Sequence, residues 1–260
     1  MQAPWPEIEH NAQVNRVCLQ MGLLLLQNGA ESALIESTTR RLGHALEVDQ
    51  IEITALANAV IVTTRVDNQT ETAVARAHEQ TVNMRAVTEA QRIMLEIEHS
   101  RRSPEEIATR LSAVDFRRYP DWLVVVAIGL SCACFARLAK ADWVSCAVTF
   151  LASASAMAVR LKLNARHYSP ILNFGVTAFV ATALSAQALI YRWSTNPQTA
   201  MAASCLLLVP GVPLINGVSD ILKGYINMGI ARLAFATVLT LASCAGIVLA
   251  MTLFRVWAWL

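Results

Sequence analysis

The sequence predicts an α+β domain followed by an all-α membrane domain of five transmembrane helices, the fourth broken at Pro210-Gly211. Three observations carry this: an uneven division of charge, a change of hydrophobic pattern near residue 122, and a proline-rich interruption of one apolar run. Of 19 acidic residues, 17 lie in residues 1–121, where 12 arginines leave a net charge of −5. The remainder sets nine lysines and arginines against Asp142 and Asp220, net +7. With 55% hydrophobic residues, 15% charged and a mean hydropathy of +0.44, the whole is too apolar for an ordinary soluble domain. The expected division is therefore a cytoplasmic domain, 1–121, and a membrane domain, 122–260.

In the first domain, Val14, Val17, Cys18, Met21, Leu24 and Leu25 follow helical spacing, and Asn28-Gly29 supplies a stop. A second helix is predicted over Ser32–Ala45. Ile51, Ile53 and Ala55 then alternate with polar residues, and the β-branched run 60–66 reaches Asp67-Asn68 before a further extended stretch, 71–77. This predicts a small antiparallel sheet. Val87, Ala90, Ile93, Met94 and Ile97 return to helical period, and Ser103-Pro104-Glu105-Glu106 has the form of a capping box with proline at the first helical position. The start, MQAPWPEIEH, is acidic and lacks a basic run leading into an apolar core, so no segment is expected to carry this domain across a membrane.

Crossing a bilayer takes about 20 apolar residues in a helix. Five runs qualify: 122–138, 143–159, 171–191, 200–215 and 233–254, the fourth being the shortest. With the N-terminal domain inside, Arg117, Arg118, Arg160, Lys162, Arg166, Lys223 and Arg232 fall on the inner side, against Arg137, Lys140, Arg192 and Arg255 outside. That excess predicts a cytoplasmic N-terminus and, after an odd number of spans, a C-terminus on the outer side. Trp122, Trp143, Tyr191, Trp193, Trp257 and Trp259 mark the interfaces. Small residues four apart (Ala152 and Ala156, Ala154 and Ala158, Ala200 and Ser204, Ala242 and Gly246) allow close helix packing.

The chemistry is concentrated in LLLVPGVPLINGVSDILKGYINMGIAR, residues 206–232. Pro210, Gly211 and Pro213 break an apolar helix and free backbone polar groups, which a membrane tolerates only where protein or a water-filled cavity receives them. Close behind follow Asn216, Asp220, Lys223 and Arg232. A carboxylate there suits proton or cation handling, and Arg232 offers a fork for a cargo carboxylate that Lys223 lacks. These four are the predicted substrate path or coupling residues. The plainer alternatives are a cap or an Asp220–Lys223 pair, and for the two cations the positive-inside bias alone. Asn173, Thr177 and Ser185 read as hydrogen-bond partners between helices.

Other signals are weak. His78-Glu79 lacks the second histidine of a zinc-protease helix, Asn68-Gln69-Thr70 is a chance sequon, and no phosphate-binding glycine loop or nucleophile elbow is present. Five of the six cysteines lie in apolar runs, and neither a metal site, a cofactor nor a nucleic-acid partner is expected.

Several of these stretches together resemble the threonine/serine exporter family: Asn28-Gly29-Ala30-Glu31-Ser32, Asn83-Met84 with Val87-Thr88-Glu89, Arg118-Tyr119-Pro120, Gly129-Leu130-Ser131-Cys132-Ala133-Cys134, and above all the run 200–232. The resemblance covers essentially the whole chain. It implies an exporter of the bacterial inner membrane rather than an enzyme, with a cytoplasmic N-domain, five spans and hence a periplasmic C-terminus. Longer family members join two such membrane halves. Within the family the likeness is strongest to a split form that exports succinate, which implies a hetero-oligomer with a separate small membrane subunit. Threonine or serine is the alternative cargo. A membrane-anchored hydrolase and a sensor are rivals of other classes, although an anchor needs only one or two spans.

Overall fold

The computed structural model describes residues 5–66, 69–77, 81–99, 103–114 and 119–257. Asp67-Asn68, His78-Glu79, Arg117, Arg118, Trp259 and the C-terminal residue lie outside them. The fold is mostly helical with one small sheet, and the chain forms two compact units: Met1–Arg117 with Val212–Leu233, and Arg118–Gly211 with Ala234–Leu260. Segment 212–233, which the division expected at residue 122 assigns to the membrane domain, thus packs with the first part of the chain.

In the first unit, α1 (Trp5–Gln27) and α2 (Ser32–Ala45) precede β1 (Gln50–Leu56), β2 (Ala59–Val66) and β3 (Gln69–Arg76), followed by α3 (Met84–His99) and α4 (Pro104–Ser112). The strands form an antiparallel meander, with Ile53 opposite Val62 and Val62 opposite Ala73. The alternation read from the sequence puts Ile51, Ile53, Val60 and Val62 on the face that packs against helices, where they meet Met21, Leu25, Ile35, Leu42, Met94 and Ile107. All six periodic positions of α1 are buried in this core. Cys18 is among them, and burial pushes its thiol up to about 12.

A buried polar contact fixes α1 across the sheet. Asn15, fully enclosed, donates through Nδ2 to the carbonyls of Val62 and Glu71 and to Thr64 Oγ1 at 2.9 Å. Nothing in the periodicity of α1 announces this residue. The cap of α4 is as expected, with Ser103 Oγ accepting from the Glu106 N–H and Pro104 opening the helix.

In the second unit, α5 (Asp121–Leu138), α6 (Trp143–Ala165), α7 (Pro170–Ser185) with its extension α8 (Gln187–Ile190), and α9 (Pro197–Ser204) lead to a 3-10 turn at Leu206–Leu208. After the break come α10 (Gly211–Leu222) and α11 (Ile226–Leu253). Among the described residues four helices, α5, α6, α7 with α8, and α11, are long and apolar enough to cross a membrane. A fifth crossing requires the bent pair Pro197–Leu208 and Gly211–Leu222. Trp122, Trp143, Tyr191, Trp193 and Trp257 are exposed at or near helix ends.

Two boundaries differ from the hydropathy reading. Helix α6 continues to Ala165 instead of stopping at residue 159, and α11 begins at Ile226 instead of 233. The reason is the same at both: Arg160 and Arg232 have partners inside the protein, so a charge does not end the helix. Small residues pack as their spacing predicts for Ala152, Ala156, Ala200, Ser204 and Gly246, all buried. Asn173 Nδ2 donates to the Arg160 carbonyl and Ser204 Oγ to Ser185 Oγ, both across helices, whereas Thr177 bonds back to Asn173 on its own helix.

Candidate functional site

The helix break falls at Val209-Pro210, the two residues left outside helical geometry. Gly211 opens α10, and Pro213 sits in its first turn, where the missing N–H would have had no helical acceptor. Both prolines therefore cost the helix little.

Close packing of α10 on the start of α11 sets the site geometry. A Cβ on Gly229 would lie 2.6 Å from the Gly217 carbonyl oxygen, and one on Gly217 would lie 3.2 Å from that of Gly229. Only glycine at these positions lets the backbones approach so closely. One turn beyond Gly217, Asp220 then meets Arg232: Nη1 donates to Asp220 Oδ2 at 2.8 Å. The carboxylate is completely buried, and the arginine side chain is 13% exposed.

The remaining valences of this pair run to the turn between α1 and α2. Gly29, at φ +84°, ends α1 in the left-handed conformation, with Ala30 N–H returning to the Leu25 carbonyl and Gly29 N–H to that of Leu26. Its carbonyl accepts from Asn216 Nδ2 at 2.9 Å, and the Ala30 carbonyl accepts from Arg232 Nη2 at 2.6 Å. Asp220 Oδ1 accepts the Ser32 N–H at 2.9 Å. Glu31 occupies the N-cap position of α2 but makes no side-chain cap bond, so the carboxylate that satisfies the helix N-terminus comes from α10.

Glu31 turns its side chain the other way. Oε1 accepts from Lys223 Nζ at 2.7 Å and Oε2 from Ser219 Oγ at 2.9 Å. The Lys223 bond, more than any other group, holds the Glu31 carboxyl below its usual range. Beside it, Tyr225 donates to Glu36 Oε2 at 2.6 Å, and Glu36 also pairs with Arg40. The Glu36 bond, aided by burial, pushes the Tyr225 phenol up to about 12.

The four residues singled out from sequence, Asn216, Asp220, Lys223 and Arg232, thus converge on one turn, residues 29–32. Asp220 pairs with Arg232 and not with Lys223. Arg232 lies within α11, both terminal nitrogens engaged by protein oxygens. Sequence reasoning missed Glu31, Ser32, Glu36, Ser219 and Tyr225 as partners. The one available signal was Gly29-Ala30-Glu31-Ser32 as a helix-to-helix turn with an acidic N-cap. Among the described residues no group of three His, Cys, Asp or Glu side chains is disposed to hold a metal ion. The arrangement is a clasp of matched charges: it can hold α10 and the start of α11 to the turn, and it separates at the cost of uncovering a buried ion pair.

Residues 16–254 match a family model described as "Putative threonine/serine exporter". The chain is 45% identical over 254 residues, 97% of its length and 99% of the relative's, to the "Probable succinate transporter subunit YjjP" of Escherichia coli. It is 46% identical over 247 residues to the protein of the same name from Klebsiella aerogenes, covering 95% of this chain and 96% of that one. A Haemophilus influenzae protein without assigned function is 43% identical over 143 residues, 55% of this chain and 48% of its own. No solved structure matches. The family match spans both units and includes the break and the residues around it. On that match and these identities, the chain belongs to the threonine/serine exporter family.

Proposed function

We propose that this chain is one subunit of an inner-membrane exporter of small carboxylates, with succinate the leading cargo. The observation that carries this reading is the near-full-length identity to two proteins named as succinate transporter subunits. The word subunit in those names supports a hetero-oligomer, and we assign the missing part to a small membrane protein resembling YjjB. Five crossings, the fourth through the bent pair, give a cytoplasmic N-terminus and a periplasmic C-terminus. The low acid content of residues 122–260, two carboxylates in all, suits an anionic cargo.

In this reading Asp220, Arg232, Asn216 and Lys223 form the coupling element. Opening the clasp would strip Arg232 and Asp220 of their partners, a step that costs several kcal/mol unless cargo or a proton compensates. The break at Pro210, Gly211 and Pro213 supplies the hinge. Threonine or serine export is the second reading, favoured by the family description.

The test is export from whole cells. Expressing this chain with its partner should raise external succinate and lower the internal pool, and either chain alone should do neither. Release of threonine or serine in place of succinate would overturn the cargo, and full transport by this chain reconstituted alone in liposomes would overturn the two-chain assembly.

A further inference from the structure

Among the described residues of the second unit, Arg160 is the one lysine or arginine that is not exposed: Arg137, Lys140, Lys162, Arg166, Arg192 and Arg255 all reach the surface. Lys162 and Arg166, on the same turns of chain, behave as cations at a membrane face are expected to, with their heads outward. Arg160 turns inward from α6. Its guanidinium lies 4.3 Å from the centroid of the Phe174 ring on α7, and Nη1 donates to the Leu207 carbonyl at 3.2 Å. The ion pairs of the described residues do not include it. The unit's acids are too few to provide one: Asp121 opens α5 at the surface, and Asp142 is bonded to Ser145 and Ser194.

A cation in a helix bundle without a counter-anion is costly unless it has work to do. Leu207 belongs to the 3-10 turn that ends two residues before Pro210, so the carbonyl that Arg160 takes is one of those the break leaves free. One bond to a neutral carbonyl leaves most of the guanidinium fork and its charge uncommitted. The Phe174 ring lies beside the guanidinium carbon, a contact that uses none of its five N–H donors, and the bond to Leu207 uses one.

We propose that Arg160 is a cargo-binding residue: its guanidinium edge, held by the Leu207 carbonyl and backed by Phe174, binds a carboxylate group of the exported anion. This rests on the carboxylate-export reading. It adds a cargo contact within the membrane-type unit, which the Asp220 clasp does not supply. The plainer role for Arg160 is as a neutral cap on the broken helix, for which a hydrogen-bond donor suffices and charge is irrelevant.

Substitutions that separate donor from charge decide between them. The assay is succinate efflux from cells carrying the full chain and its partner, with membrane abundance measured and internal succinate varied. Arg160→Gln keeps an N–H for Leu207 and removes the charge. It should raise the half-saturating succinate concentration about tenfold or more, the scale of a lost charge-assisted bond. Arg160→Lys should raise it less, with the maximal rate retained. In a background lacking the native cysteines, Arg160→Cys should regain export on modification with an aminoethyl thiosulfonate, which restores a positive charge, and not with the neutral methyl reagent. Wild-type half-saturation in Arg160→Gln, or equal rescue by both reagents, would overturn the proposal while leaving the export reading intact. If Arg160→Gln fails to accumulate, unchanged half-saturation in Arg160→Lys would overturn it. Absence of succinate efflux from the wild type would remove both.

Discussion

Asp220 accepts the backbone N–H of Ser32 at 2.9 Å across 188 positions of sequence, while its other oxygen holds Arg232 at 2.8 Å. One buried carboxylate thus caps helix α2 and joins it to the hairpin of α10 and α11. Removing it should leave a buried guanidinium without its partner. Asp220→Ala is predicted to lower the unfolding free energy of the purified chain by about 3–5 kcal/mol. Replacing both members with apolar residues of similar volume, Asp220→Leu with Arg232→Met, should recover most of that loss. Denaturant unfolding of the two variants checks the pair, and equal losses would mean that the charges are not coupled.

The contact between α10 and α11 depends on Gly229. Its added Cβ would meet the Gly217 carbonyl at 2.6 Å and Ile221 Cγ1 at 2.5 Å, too close to accommodate without moving the helices. Gly229→Ala should destabilise the protein by about 1–3 kcal/mol through overpacking. Gly211→Ala, where nothing lies within 4 Å of the added atom, should have little effect. Thermal unfolding of the two variants should separate them clearly.

The Tyr225–Glu36 bond gives a readout at high pH. The phenol titrates at about 12 in the folded protein, above the usual value of about 10 for an exposed tyrosine. Its contribution to stability is therefore complete below about pH 10 and is lost as pH rises through 12. Glu36→Gln should move this titration down, and Tyr225→Phe should delete it, as followed by tyrosinate absorbance.

Glu31 behaves in the opposite sense. Its carboxyl is held low, first by the hydrogen bond from Lys223, so its contribution is present above the ordinary carboxylate range and lost as pH falls through the lowered value. The pair is partly exposed, at 32% for Glu31 and 44% for Lys223, so exchanging the charges by Glu31→Lys with Lys223→Glu should alter stability by no more than about 1 kcal/mol. The single Lys223→Glu change, which sets two carboxylates side by side, should cost more at low salt than at high salt. A cost independent of salt would mean that the contact is not electrostatic.

Much of the architecture was legible because it is periodic. The buried face of α1, helix Ser32–Ala45, the alternating strands, the Ser103 cap and the apolar helices all follow from spacings of a few residues. The residues behind the break were also visible, because charges and two prolines are conspicuous in an apolar run. Their partners were not. Glu31, Ser32 and Glu36 meet Lys223, Asp220 and Tyr225 from 188 to 192 positions away, and no local period encodes such a meeting. Arg232 misled for a related reason. Read locally, a charge marks the mouth of a span; paired with a buried carboxylate, it lies two turns inside a helix that starts at Ile226. Asn15, set between Val14 and Arg16, anchors α1 to strands that only folding brings near.

The proposed coupling of the Asp220–Arg232 clasp to export of a small carboxylate can be read from the initial rate of labelled succinate efflux from cells. Wild type, Asp220→Asn and Arg232→Lys should be compared in the presence of the proposed partner subunit and at matched membrane abundance. Asparagine keeps the shape and loses the charge, and lysine keeps the charge but brings one nitrogen where the guanidinium uses two, on Asp220 and on the Ala30 carbonyl. Efflux should fall at least about tenfold below wild type for Asp220→Asn, with a clear deficit for Arg232→Lys. Wild-type efflux in both variants would refute the coupling and leave the clasp a purely structural joint.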